Sequence, residues 1–550
     1  MRNFFIRQAS WLGFSALSIA LLFALPMIVI VGFLFSGTFD VWQHLAATVL
    51  NSYIGNSLLL MLGVAIGVLL LGVPTAWLTS IFTFPGSKIF AWALLLPLAF
   101  PAYIIAYTYT GIFDVSGPVQ SALRELTGLS YGEYWFFNIR SLGGAIVMLS
   151  LVLYPYVYLL ARSAFLDQSA NIIDACRLAG HDRTRSWIKV GLPMARPAII
   201  AGLTLALMET LADYGTVQYF GVSTFTTGIF RTFYGFGETA AAAQLAAVLL
   251  LFVVVLIFLE RYSRRRIRYH ATKNHVVQPI KLTGTRARFA MAVCFLPLLL
   301  GFILPAWQLI YWAFNEAVIH PDFINLAWHS FYLAALAAVV AVSLALIMAY
   351  AKRLHRGALI NSAVSFAGVG YALPGTIIAI GIIIPLAWLD HQLIDWFDRV
   401  FGINVGLLLS GTFVALIFAY SVRFLAVSLG AIESGLSKIK PSLDRAARLS
   451  GYRPIEVLKA VHLPLLKGSL LTALLITFVD VLKELPATLI LRPFDFNTLA
   501  IHAYELASDE RLIDAAPASL CIVAVGIVPV ILLSRSISLS QQTRDQHAKL

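Results

Sequence analysis

Four carboxylates, Glu209, Asp213, Asp480 and Glu484, sit in segments that are otherwise almost wholly apolar. Read as continuous helix, each pair lies four residues apart on one face. An ionisable side chain inside a membrane span costs about 2.5–3.5 kcal/mol and usually faces a cavity or a partner. Carboxylate oxygens suit a hard cation, yet tight chelation would trap an ion that conduction must release. One reading is therefore an electrostatic lining for a cation route, with no metal coordination site. The other is structural: Lys483 pairs with a carboxylate, and Gly215 and Pro486 break the helix. Both stay open at this stage. No nucleophile–base constellation points to hydrolysis, and Cys176, Cys294 and Cys521 lie too far apart for a zinc site or a disulfide framework.

The elements that carry these residues are membrane helices. Hydrophobic residues make up 60% of the 550 and charged residues only 12%, about half the charged share of an ordinary soluble domain. Runs such as Trp11–Phe35, Ser57–Ile81, Ala240–Leu259 and Ala515–Leu533 reach the roughly 20 apolar residues that cross a bilayer. The first run is too long for a signal-peptide core and ends without a good cleavage site, so it reads as a retained span. Twelve spans are expected, near 11–35, 57–81, 89–113, 141–161, 197–219, 240–259, 289–314, 327–351, 361–389, 405–430, 467–491 and 514–534. Pro97, Pro101, Pro374 and Pro385 are expected to kink the third span of each half, and Gly63 and Gly67 suit close helix packing. The net charge of +12 does not mark a nucleic-acid footprint. Most Lys and Arg fall between spans on one side, which the positive-inside rule makes cytoplasmic, with both termini cytoplasmic.

The chain repeats itself. Asp174-Ala175-Cys176-Arg177-Leu178-Ala179-Gly180 aligns with Arg445-Ala446-Ala447-Arg448-Leu449-Ser450-Gly451. After nine residues come Val190-Gly-Leu192-Pro193 and Val461-His-Leu463-Pro464. One offset, 271, serves both the Gly (451 − 180) and the Pro (464 − 193). Upstream, Asn56-Ser57 pairs with His329-Ser330 and Pro101 with Pro374. The halves run in the same orientation, as parallel repeats do in many transporters. Residues 1–260 form the first half and 289–550 the second. Between them lies a basic linker, 261–288, containing Arg261, Arg264, Arg265, Arg266 and Arg268. The loops 162–196 and 431–466 each read helix, Gly turn, helix, with Leu-Pro ending the loop before the next span. A short helix of this kind suits docking in a groove of a partner.

The pattern Glu-Ala-Ala, three residues, Gly, nine residues, Ile-x-Leu-Pro resembles the permease subunits of binding-protein-dependent ABC importers. Gly180, Leu192, Pro193, Gly451, Leu463 and Pro464 keep it, as do Ala175, Ala446 and Ala447. Asp174 replaces the Glu conservatively, whereas Arg445 reverses its charge; Asp444 precedes Arg445 but points about 100° away on a helix. The resemblance implies an all-α membrane protein with two parallel six-helix repeats in one fused chain. It also implies that these loops couple the pore to two copies of an ABC ATPase. A periplasmic substrate-binding protein and the lipid bilayer are the other expected partners, in a bacterial inner membrane, with no nucleic acid. No G-x-x-x-x-G-K-[ST] motif occurs, so the chain is expected to be no enzyme and to hold no cofactor; ATP and Mg belong to the partner. Leu211-Ala-Asp213-Tyr214-Gly215, Lys483-Glu484-Leu485-Pro486-Ala487-Thr488, Leu491-Arg492-Pro493-Phe494 and Asp509-Glu510-Arg511 are similar to fused ferric-iron permeases. Thiamine or another small solute is the alternative cargo, and an ion-coupled secondary transporter the rival class; a membrane transferase lacks a reactive cluster.

Overall fold

The computed structural model describes residues 2–166, 187–265, 280–318, 320–355, 357–403 and 405–549. The elements used below are α1 (Arg2–Gly32), α2 (Leu50–Ile81), α3 (Ala102–Phe113), α4 (Leu142–Leu166), α5 (Leu192–Ala212), α6 (Gly215–Tyr219), α7 (Thr239–Arg265), α8 (Gly284–Leu298), α9 (Phe323–Leu354), α10 (Gly375–Phe401), α11 (Phe413–Lys438), α12 (Pro441–Leu449), α13 (Leu463–Leu482), α14 (Pro486–Leu491) and α15 (Ala516–Lys549). Among the described residues, ten helices are long and apolar enough to cross a membrane. An eleventh candidate is the bent pair Ser87–Ala99 and Ala102–Thr127, and Ala516–Leu532 is a shorter apolar stretch at the twelfth expected position.

The expected boundaries shift where the backbone is broken. The third span of the first half is sharply bent as expected, by 91° across the break at Pro101. Phe100 just before it is extended (φ −84°, ψ 125°), as the ring of a following proline demands. Leu373, before Pro374, takes nearly the same angles (φ −84°, ψ 130°). The tenth span begins at Phe413 rather than near 405. The preceding residues form a loop held by buried Asp390, which accepts the amides of Leu408, Leu409 and Ser410.

Two compact units form, and they interleave the sequence halves. One comprises Met1–His44, Gly228–Leu250 and His320–His502. Its centre is α9, α11 and α13, with α1 packed on α9 and α10; Gly381 of α10 leaves room for the backbone at Pro26, and Phe23 meets Phe418 edge-on. The other comprises Leu45–Thr227, Leu251–Ile319 and Ala503–Leu550, centred on α2, α4 and α5, with α8 against α2. Here Gly63 and Gly67 do face α4, where an added Cβ would strike Ile146 and Ser150, and Gly202 meets the backbone at Tyr156 and Val157. The first helix of each half thus belongs to the unit built mainly from the other. At the exit of the basic linker, Ile280–Lys281 pairs in parallel with Phe82–Thr83.

Candidate functional site: a docking loop and two helix breaks

The second loop is described throughout. Pro at the first position starts α12, where its missing amide costs nothing. The helix ends in a Schellman turn: Gly451 takes φ 86°, its amide bonds Arg448, and the Tyr452 amide bonds Ala447 at 3.1 Å. Only Asp444 and Ala447 of α12 are turned partly inward. Leu443, Arg445, Ala446, Arg448 and Leu449 are exposed, and Leu449 is 90% so. An exposed short helix with leucines and arginines on its outer face can enter an apolar groove rimmed by acidic groups.

Leu463-Pro464 does not end the loop, contrary to the sequence expectation. Helix runs from Pro454 to Leu482, with a one-turn π-helix at Leu458–His462 directly before Leu463. The widened turn absorbs the proline, which lacks an amide and would press its ring on the preceding turn. The first half repeats this, with a π-turn at Trp187–Gly191 before Leu192 and Pro193; the offset is again 271 (458 − 187). Asp174, Ala175 and Gly180 lie outside the described residues.

Asp444 is clamped. Arg353 donates to it from Nε (3.0 Å) and Nη2 (3.1 Å), and His462 Nε2 lies 2.8 Å from its Oδ1. Burial would raise the Asp444 carboxyl, but the hydrogen bonds from Arg353 and His462 and the charge of Arg353 outweigh it and hold it below the usual range. A depressed carboxyl stabilises the fold above its unfolded value, about 3.9, and loses that contribution as pH falls through the folded value. The difference in thermal stability between wild type and Asp444→Asn should therefore be constant at neutral pH. It should close only below about pH 4, in melts taken across pH.

Glu209 and Asp480 lie on α5 and α13, but Asp213 and Glu484 lie beyond the ends of those helices. Helix α5 stops at Ala212 and Asp213 is extended (φ −68°, ψ 129°); α13 stops at Leu482. Asp213 and Glu484 each cap the short helix that follows. Asp213 accepts the amides of Thr216 and Val217, both at 3.1 Å, and the Thr216 hydroxyl at 3.0 Å. Glu484 accepts the amides of Ala487 and Thr488, both at 3.0 Å, and the Thr488 hydroxyl at 2.6 Å. Tyr214 (φ −116°, ψ −45°) and Leu485 (φ −118°, ψ −52°) repeat the turn. The i, i+4 geometry expected of Glu209 with Asp213, and of Asp480 with Glu484, therefore fails, because the helix ends to satisfy these caps. Lys483 pairs with Asp480 at 2.9 Å.

Sequence reasoning missed Arg423, which donates to Glu484 at 3.1 Å from the adjacent α11, both side chains at least nine-tenths buried. A lone arginine in an apolar run was the available signal. Gly375 makes room for this pair: an added Cβ would lie 2.5 Å from Arg423 Nη1 and 2.6 Å from Glu484 Oε1. Val152 stands at the position equivalent to Arg423 (423 − 271). The Asp509-Glu510-Arg511 run is also placed: Glu510 pairs with Arg140 and Arg511 with Asp514.

Twin helix breaks, twin π-turns and a repeated polar loop on apolar spans define a membrane transport protein built from two copies of one fold. Residues 45–269 and 341–548 match the family of binding-protein-dependent transport system inner membrane components. The chain belongs to that family, the multi-pass inner-membrane permeases of ABC importers, which work with an ATPase and a substrate-binding protein. It is similar to the Fe(3+)-transport system permease protein FbpB 2 of Haemophilus influenzae, 25% identical over 493 residues, covering 88% of this chain and 89% of the relative. The molybdenum transport system permease protein ModB of the same organism is 27% identical over 203 residues, 36% of this chain and 86% of its own. The sulfate transport system permease protein CysT of Salmonella typhimurium is 26% identical over 204 residues, 35% and 71% respectively. The shorter relatives fill about a third of this chain with most of their own length, as expected if two permease halves are joined here.

Proposed function

We propose that this chain imports ferric iron from the periplasm to the cytoplasm, driven by two copies of an ABC ATPase seated on the loops 162–196 and 431–466. Both termini are cytoplasmic in this reading, because the basic linker 261–288 and the two loops then share the cytoplasmic side. The observation that carries the docking is α12: an exposed, short, amphipathic helix closed by Gly451, in a loop whose pattern recurs at one offset. Asp174, Ala175, Gly180, Leu192 and Pro193 form the first loop's counterpart of Ala446, Ala447, Gly451, Leu463 and Pro464. ATP and Mg are held by the ATPase, and this chain carries no cofactor.

Iron is supported by the end-to-end similarity to a relative named for Fe(3+) transport. Carboxylates at both breaks also suit a cation better than the oxyanion form in which molybdenum and sulfur are carried. Asp213 is the stronger negative feature of the two, since Arg423 offsets Glu484. Glu209 and Asp480 stand one turn before the breaks and complete the proposed lining. The test is uptake by a deletion strain with and without the restored gene, using labelled Fe(III), molybdate, sulfate and thiamine in parallel. Restoration of Fe(III) uptake alone is expected. Restoration of another solute with none of Fe(III) would remove iron as the cargo.

A further inference from the structure

The last turn of α9 is a junction. Besides its two bonds to Asp444, Arg353 donates to the carbonyls of Leu436 (2.5 Å) and Ile439 (3.0 Å) at the end of α11. One turn back, the Tyr350 hydroxyl donates to the Pro454 carbonyl at 2.6 Å, and its ring meets His462 edge-on. Lys352 pairs with Glu433 of α11 at 2.8 Å. One guanidinium therefore joins α9, the end of α11 and α12, and through Asp444 the π-turn that begins the next span. His462 is 1% exposed, and its Nδ1 has no hydrogen-bond partner among the described residues. That fits a neutral imidazole donating through Nε2 to the carboxylate.

A two-bond arginine–carboxylate pair fixes angle as well as distance. Helix α12 cannot pivot on α9 without breaking two charged hydrogen bonds at once. The one-residue displacement of the acid is what allows this. Arg445 occupies the outward position, while Asp444, rotated by about 100°, points into the protein. The first half does not carry the same three residues in sequence. At the equivalent positions it has Ile173 for Asp444 and Gly191 for His462 at the 271 offset, and Ser80 for Arg353 at the upstream offset of 273. The Ser80 hydroxyl is bonded within its own helix, to Ala76.

We propose that Arg353, Asp444 and His462 are positioning residues that make the second docking helix a rigid lever on the spans, so that the two ATPase sites are mechanically unequal. This rests on the docking reading above, and the test separates the two. In the full complex with ATPase in lipid nanodiscs, spin labels at Ser442 and Ser343 report the distance between α12 and α9. One narrow distance is expected, the same without nucleotide and after trapping with ADP and vanadate. Asp444→Asn should broaden it and should lower Fe(III) transported per ATP hydrolysed in proteoliposomes by about fivefold or more. Asp444→Glu, which keeps the charge, should stay within about twofold of wild type. His462→Gln should fall between, and it serves as the second variant if Asp444→Asn folds poorly. A merely structural role would lower the yield of complex but leave both the distance and the ratio unmoved. A distance in the unsubstituted chain that shifts with nucleotide, or an Asp444→Asn complex with an unchanged ratio, overturns the lever. Failure of docking itself would appear as an unsubstituted chain that binds no ATPase.

Discussion

Replacing Arg423 by leucine should destabilise the protein by about 3–5 kcal/mol, the range for breaking a buried ion pair by removing one partner. Glu484 is 5% exposed and keeps its bonds to the Ala487 and Thr488 amides and the Thr488 hydroxyl. Those bonds stabilise a carboxylate, but the bilayer around α11 and α13 supplies no counter-charge once the guanidinium is gone. The penalty should be relieved by adding Glu484→Gln, because the buried charge is removed while the amide oxygen still caps α14. Gly375→Ala should act on the same pair by intrusion, its Cβ falling 2.6 Å from Glu484 Oε1. Thermal unfolding in detergent reads all three variants. A double variant no more stable than Arg423→Leu would show that the pair is not what the leucine disrupts.

Gly451→Asp should abolish ATP-driven transport and weaken the ATPase on that loop by about a hundredfold. At φ 86° glycine adopts the turn freely, whereas a side chain there is strained. The Schellman bonds to Ala447 and Arg448 hold the outer face of α12 in one direction, so a change at Gly451 redirects that face. The added carboxylate also alters a surface that Arg445 and Arg448 make basic. Gly180→Asp is the matching change in the first loop. Binding of the ATPase by each variant, measured by titration on immobilised nanodiscs, gives the two loops separately.

Much of the repeat was legible in the residues. Phe100 and Leu373 take nearly the same extended angles before Pro101 and Pro374, because proline dictates the conformation of its predecessor wherever it sits. Ser57 and Ser330, aligned from sequence, accept the amides of Phe225 and Leu499 in equivalent places. Gly451 was legible for the same reason: its conformation is local. The breaks at Asp213 and Glu484 were not, since a carboxylate in an apolar run looks identical whether it sits on a helix face or caps the next helix. Hydropathy periodicity carries no sign of that choice. Arg353, Arg423 and His462 act through partners 18 to 91 positions away, and nothing in local spacing names those partners. The interleaved units were equally hidden, because α1 and α8 are apolar on more than one side and their sequences do not say which half they join.

The central claim is that this one chain presents two ATPase docking loops. It is tested most directly by purifying the tagged protein from its native membrane and weighing the intact complex by mass spectrometry. The expected result is one chain with two copies of a Walker-type ATPase, reduced to one copy by Gly451→Asp or Gly180→Asp and to none by both. A chain that carries out ATP-independent uptake and brings down no ATPase would contradict it.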